Sequence, residues 1–229
     1  MRKRHTPIFG LIAALGLACA LATNVAAKGR GGKDAPEKAP AKVAAARSAE
    51  REPIIRHLDP EEDAADYKRI WEVRRRLPRE FQWRNNFGWA RADVEGLEKK
   101  EYFAHSGIQN LDGFSAAVAK PLADMSFSPE KGKGLFTTLF VDYRGNVDGP
   151  GAIPRWYDTE YKMLEDVAAR LTNRAAKGTI RLYTNLEPCP SCRGVMRQFL
   201  ARYPHVELEG LSEWRSRSPR PARVEPCSR

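Results

Sequence analysis

Hydrophobic positions change their spacing along the chain, and each change marks an element. In "DYKRIWEVRRRLP", Tyr67, Ile70, Trp71, Val73 and Leu77 fall near one face of a helix that ends before Pro78. The polar and aromatic stretch that follows holds two short runs, "WARADV" and "KEYFAHS", which read as strands joined by the turn "EGLEKK". "GLFTTLFVDYRGNVDG" is rich in β-formers and carries a Gly-Asn turn, so it predicts a hairpin arm. Helical spacing returns in "YDTEYKMLEDVAARLTNRAAKG", where Tyr161, Leu164, Val167, Ala168 and Leu171 share a face and Gly178 is expected to close the helix. "TIRLYTNL" then reads as a strand, "SCRGVMRQFLARYP" as a second helix and "HVELEGL" as a half-buried strand. Strands, helix, strand, helix, strand in that order predict a three-layer α/β sheet domain with crossover helices.

The two ends have a different character. "MRKRHTP" is a positive start, "IFGLIAALGLACALA" is an apolar stretch short for a membrane span, and small residues surround Ala27. Residues 1–27 therefore read as a cleaved secretory signal, with no stable membrane insertion afterwards. Residues 28–66 are rich in Ala, Lys, Glu, Pro and Gly and predict a disordered linker. Residues 215–229 predict a basic disordered tail, which leaves one folded domain at 67–214. Across 229 residues, Lys and Arg outnumber Asp and Glu by 39 to 29. That excess favours an anionic partner, with nucleic acid ahead of an anionic membrane surface. Once the signal and its Cys19 are removed, Cys189, Cys192 and Cys227 remain, too few for a disulfide framework.

Cys189 and Cys192 open the helix that follows the strand "TIRLYTNL". Unpaired amides at a helix start favour thiolate over thiol, and two thiolates one turn apart can reach the same tetrahedral ion. Such an ion needs at least one more protein ligand. The crossover arrangement directs attention to the start of the preceding helix, Asp158-Thr159-Glu160. Asp158 offers a carboxylate oxygen as ligand, and Glu160 a carboxyl aimed at a water on the metal. His105, in "YFAHSGI", is the alternative third ligand, because imidazole suits zinc and a strand end can approach the site. In that case Asp158 becomes its hydrogen-bond partner or a helix cap.

"DTEYKMLEDVA" and "IRLYTNLEPCPSCRGVMRQFLARYP" resemble the zinc-dependent cytidine-deaminase-like superfamily, whose signature is H-x-E followed by P-C-x-x-C. The likeness runs over residues 80–212 and is greatest to the branch that forms catalytic domains of bacterial polymorphic toxins. Pro188-Cys189-x-x-Cys192 and Glu160 match directly, whereas Asp158 stands where more familiar members carry histidine. The third ligand is thus left between Asp158 and His105. The resemblance implies Zn²⁺ as cofactor and hydrolytic deamination of a nucleobase, cytosine ahead of adenine, with Glu160 moving the protons.

His105, Ser106, Trp83 and Arg84 are candidates for contact with substrate. Arg84, Arg91, Lys99 and Lys100 among Trp83, Phe87 and Trp89 suit a groove that tracks a nucleic-acid backbone, although the same aromatics equally build a core. Single-stranded or flexible nucleic acid is the favoured substrate, with a free nucleoside left open. Export and nucleic-acid chemistry together imply a secreted toxin or effector acting inside a target cell, with an immunity protein as partner. The rival readings are an exported thiol–disulfide oxidoreductase using Cys189 and Cys192, and a catalytically degenerate deaminase fold that only binds nucleic acid.

Overall fold

Strand alternation divides the core between the two faces of one sheet. The computed structural model describes residues 51–214. The signal segment with Cys19, the linker before residue 51 and the tail with Cys227 lie outside the described residues. Five strands, β1 (Ile54–His57), β2 (Phe87–Val94), β3 (Glu101–His105), β6 (Gly178–Leu186) and β7 (Val206–Trp214), form a sheet of order β1-β7-β6-β2-β3. A separate ribbon pairs β4 (Phe140–Val141) with β5 (Ile153–Pro154). β1, β7 and β6 run parallel, while β2 is antiparallel to both β6 and β3. The helices are α1 (Ala64–Arg74), the short α2 (Ala116–Ala119), α3 (Thr159–Arg170) and α4 (Pro190–Arg202).

Ala90, Ala92 and Val94 of β2 and Ile180 and Leu182 of β6 face Leu164 and Val167 of α3 and Phe199 of α4. Phe87, Trp89, Phe103 and Tyr183 point the other way, onto Ile70 and Val73 of α1 and onto Leu122 and Met125. The result is the three-layer α/β arrangement that the periodicities imply. Small residues on the α3 face of β2 let the helix approach closely. A Cβ at Gly88 would lie 2.6 Å from Cε of Met163 and 2.8 Å from Cβ of Thr159. Gly88 thus seats the first turn of α3 directly on the sheet.

Three expectations are corrected. Residues 54–66, assigned to the linker, contain β1 and the start of α1. β1 is held by charge more than by apolar burial, since Ile54 is 64% exposed. Arg56 forms a two-pronged pair with Asp63 at 2.7 Å and reaches Glu209 at 2.6 Å, and Arg181 contacts the same two carboxylates at 2.5 and 2.8 Å. An Ala- and Glu-rich composition carries no trace of that pairing.

The expected arm 134–149 does turn at Gly145-Asn146, where Val141 bridges Val147 and the Asp142 and Asp148 N–H groups donate to the Asn146 and Phe140 carbonyls at 3.0 Å each, but of its residues only Phe140–Val141 form a strand, paired with β5. Its earlier backbone is satisfied by side chains of the helices beneath it. Leu135 and Phe136 N–H donate to Glu165 at 3.0 and 2.8 Å, Thr137 N–H to Gln198 at 2.8 Å and Leu139 N–H to Ser191 at 2.9 Å. A segment whose donors are already taken has no need of a sheet neighbour.

α3 ends at Arg170, where Asn173 then takes the Ala175 N–H in a turn. Gly178 opens β6 rather than capping the helix. It has a φ of 147°, and a Cβ there would lie 2.2 Å from the Asp93 carbonyl oxygen. No helix among the described residues is long and apolar enough to cross a membrane.

Candidate active site

Two helix N-termini meet at the sheet edge where β6 ends, and each supplies donors. At α3, Asp158 stands in the N-cap position with extended backbone, yet its side chain makes no capping hydrogen bond. An aspartate there ordinarily accepts an amide of the first turn. Here Oδ2 instead faces the sulfurs of Cys189 and Cys192, at 3.6 and 3.2 Å. At α4, Cys189 is the N-cap residue and Pro190 follows it, fixing the backbone where no donor is needed. Cys189 Sγ lies 3.2 Å from Cys192 Sγ and accepts the Cys192 N–H at 3.4 Å. One donor atom from each of Asp158, Cys189 and Cys192 falls within 4.8 Å of the others, the one such group among the described residues. Both thiols are free.

Glu160 sits in the first turn of α3 and is buried. Burial, with the Asp158 carboxylate adding to it, pushes its carboxyl up to about 7. Burial also raises Asp158, against the pull of Arg155, whose Nη1 is 3.8 Å from Oδ1. The hydrogen bond with Cys189, together with burial, pushes the Cys192 thiol up. Crowded acids of this kind hold protons unless a cation joins them.

Glu160 is oriented from behind. The Thr159 hydroxyl donates to Oε2 at 2.9 Å, and Asn86 Nδ2 donates to that hydroxyl oxygen at 3.0 Å. Asn86 is itself fixed by the Leu186 N–H, which donates to its Oδ1 at 3.3 Å. These groups border a cavity of about 220 Å³ lined by Asn86, Ser106, Tyr157, Asp158, Glu160 and Cys192, among others.

The structure brings together Asp158, Glu160, Cys189, Cys192 and Ser106, but not the remaining candidates. His105 is fully buried and lies outside the donor group. Its Nε2 donates to the Arg84 carbonyl at 2.9 Å, Nδ1 accepts the Gly107 N–H at 3.1 Å, and Phe81 packs on its ring edge. Burial lowers its pKa, so the ring is a neutral structural link with both nitrogens engaged. This corrects its placement as third ligand and as substrate contact.

Trp83 packs on Trp71 at 5.2 Å, and Arg84 presents its carbonyl to His105, so neither lines the cavity. The expected basic groove is scaffold as well. Phe87 and Trp89 are core, Arg91 pairs with Asp66, Lys99 pairs with Asp166, and Lys100 donates to the Val94 carbonyl. Ser106 holds its place in the cavity wall by accepting the Asn86 N–H at 3.0 Å. Asn86 and Arg155 were not singled out from the chain. Both lie in irregular segments, and the paired Asn-Asn before a strand is the only sign of the first.

Comparison with known proteins agrees with this geometry. The model of a toxin-deaminase family, described as the BURPS668_1122 family of deaminases, matches residues 70–212. No curated protein and no solved structure matches the chain significantly.

Proposed function

The chain belongs to this family of toxin deaminases, and from that premise we propose that it is a zinc-dependent hydrolase that converts a nucleobase amidine to a carbonyl, cytosine to uracil first of all. The observation that carries the reading is the convergence of Asp158, Cys189 and Cys192 beside the buried carboxyl of Glu160. The donor set suits zinc. Around a tetrahedral ion with bonds of about 2.3 Å to sulfur and about 2.1 Å to oxygen, the sulfurs stand about 3.8 Å apart and sulfur and oxygen about 3.6 Å apart. Cys189 to Asp158, at 3.6 Å, already matches, and the two separations of 3.2 Å need an opening of about half an ångström. Three protein ligands leave the fourth position for water, as catalytic zinc requires.

Zinc held there would supply a water acidified enough to act as nucleophile near neutral pH. Glu160 does the proton work. With Oε2 tied to Thr159, Oε1 is the oxygen left to take a proton from the attacking water and pass it to the ring nitrogen. It then takes the remaining proton from the hydroxyl added to the ring carbon and delivers it to the amino group, which leaves as ammonia when the C–N bond breaks, so that cytosine and water become uracil and ammonia. Burial raises its pKa to about 7 in the protein without metal, and a dication beside it would draw that value down, toward the carboxylate that accepts a proton from water. Asn86, through Thr159, fixes the direction in which Glu160 points.

The favoured substrate is a base in nucleic acid, in keeping with the basic chain. A signal at residues 1–27, as the sequence leads one to expect, would make the protein a secreted toxin that acts in a target cell, with an immunity protein guarding its producer. Zinc content and ammonia release on a cytosine-bearing single strand test the assignment. Wild type should carry about one zinc per chain, lost in Cys192→Ala and Asp158→Asn and kept in His105→Asn and Glu160→Gln. Glu160→Gln should lose roughly 10²- to 10⁴-fold in rate. Undiminished ammonia release by Glu160→Gln, or zinc retained by both ligand variants, would overturn the reading.

A further inference from the structure

A second, larger cavity of about 450 Å³ opens beside the first, between the β4–β5 ribbon and the start of α4. The two share Arg155, Leu186, Glu187 and Cys189 as a common wall. A base whose ring enters the first cavity therefore has its chain neighbours at the mouth of the second. We propose that this second cavity is the subsite for the nucleotide that flanks the target base in a single strand, with Tyr143 as its stacking platform. The inference rests on the deaminase reading of the adjoining cavity.

Three observations carry it. First, Tyr143 is 81% exposed, the most exposed of the large hydrophobic side chains among the described residues, and its ring is held from one side by Arg144, whose Cζ lies 5.2 Å from the ring centroid and whose Nε donates to the hydroxyl at 2.7 Å. A stacking surface is the ordinary use for an aromatic displayed in this way, because every base has a face to offer.

Second, the loop that displays it is rigid. Buried Asp142 accepts the N–H groups of Arg144 and Asn146 at 2.8 Å each and Nδ2 of Asn146 at 2.9 Å. Nη2 of Arg155 holds the Val141 and Asp142 carbonyls at 2.9 and 3.1 Å. Gly145, with φ at 87°, makes the turn. A platform fixed before binding loses little entropy on stacking.

Third, the chemistry is that of an anion path. Arg144, Arg155 and Arg193 line the cavity with two acids, Glu187, which pairs with Arg193 at 2.7 Å, and Asp142, which is committed to its own loop, so positive charge is in excess. Nε of Arg155 is buried without a hydrogen-bond partner, in the wall that both cavities share. The Arg155 guanidinium thus places a positive charge beside the path a phosphodiester would take from one cavity to the other. A free nucleoside would use only the smaller cavity, so the substrate class is a polymer.

The test uses the full chain with labelled single-stranded DNA and RNA of about ten nucleotides containing cytosine and adenine, and with the corresponding nucleosides. Tyr143→Ala should weaken oligonucleotide binding by roughly tenfold and lower the oligonucleotide-to-nucleoside ratio of kcat/KM to a similar extent, while Tyr143→Trp keeps both. Unchanged oligonucleotide affinity in Tyr143→Ala, or equal losses on nucleoside and oligonucleotide, would overturn the proposal. Wild type that binds no oligonucleotide overturns it even where nucleosides are deaminated, and leaves the exposed ribbon as a protein-docking surface. Wild type that binds oligonucleotides and releases no ammonia defeats the deaminase reading instead, and the Tyr143→Ala affinity still decides the subsite.

Discussion

Asp158 fills a position where aspartate is usually a helix cap, and its carboxylate is turned away from that task toward two sulfurs. The chain alone admits both roles, and only the side-chain direction separates them. The same scale decides His105, a residue whose type suits zinc but whose two nitrogens are taken by backbone groups. Neither direction can be read from spacing, because each depends on a contact far away in sequence. Thr159 and Asn86 are more deeply hidden, since a threonine inside a D-x-E motif looks interchangeable. Their hydrogen bonds make them positioning residues for Glu160. Thr159→Val should lower kcat about tenfold with little change in KM, the loss of one hydrogen bond to a charged group, and Thr159→Ser should restore it. Steady-state kinetics on one oligonucleotide would check this; a KM effect shared by the serine variant would count against the role.

Helices and strands with clear periodicity appear where the pattern puts them, as β2, β3, β6, β7, α1, α3 and α4 all attest. Elements held by polar side chains do not announce themselves. β1 is ordered by Arg56, Asp63, Arg181 and Glu209, and the stretch 134–139 is satisfied by Glu165, Gln198 and Ser191, so hydrophobic spacing missed the first and overread the second. Asp63 is 3% exposed and carries two guanidinium partners. Asp63→Asn should therefore cost about 3 kcal/mol in a urea melt near neutral pH. The Arg56 pair outweighs burial and holds the Asp63 carboxyl well below the usual carboxylate range. Its folded pKa lies under its unfolded value of about 3.9, so its contribution is complete above that pH and is lost as pH falls further. The gap in stability between wild type and Asp63→Asn should narrow on acidification below about pH 4. A gap that stays constant down to pH 2 would assign the effect to packing.

For the molecule as a whole, sheet order has a consequence in time. β7 is the last described strand in the chain, yet it lies between β1 and β6, inside the sheet rather than at its edge. A ribosome has therefore released Asp158, Glu160, Cys189 and Cys192 before the strand that completes their support exists. Until Val206–Trp214 emerges, β1 has no partner and one side of β6 is open. A chain that stops short of β7 should therefore hold the reactive residues without the sheet that aligns them. A chain ending at residue 204 should show no cooperative melt, no bound zinc and no ammonia release, although every proposed ligand is present. For the producer of a toxin deaminase, that order of synthesis leaves the unfinished polypeptide without an assembled site.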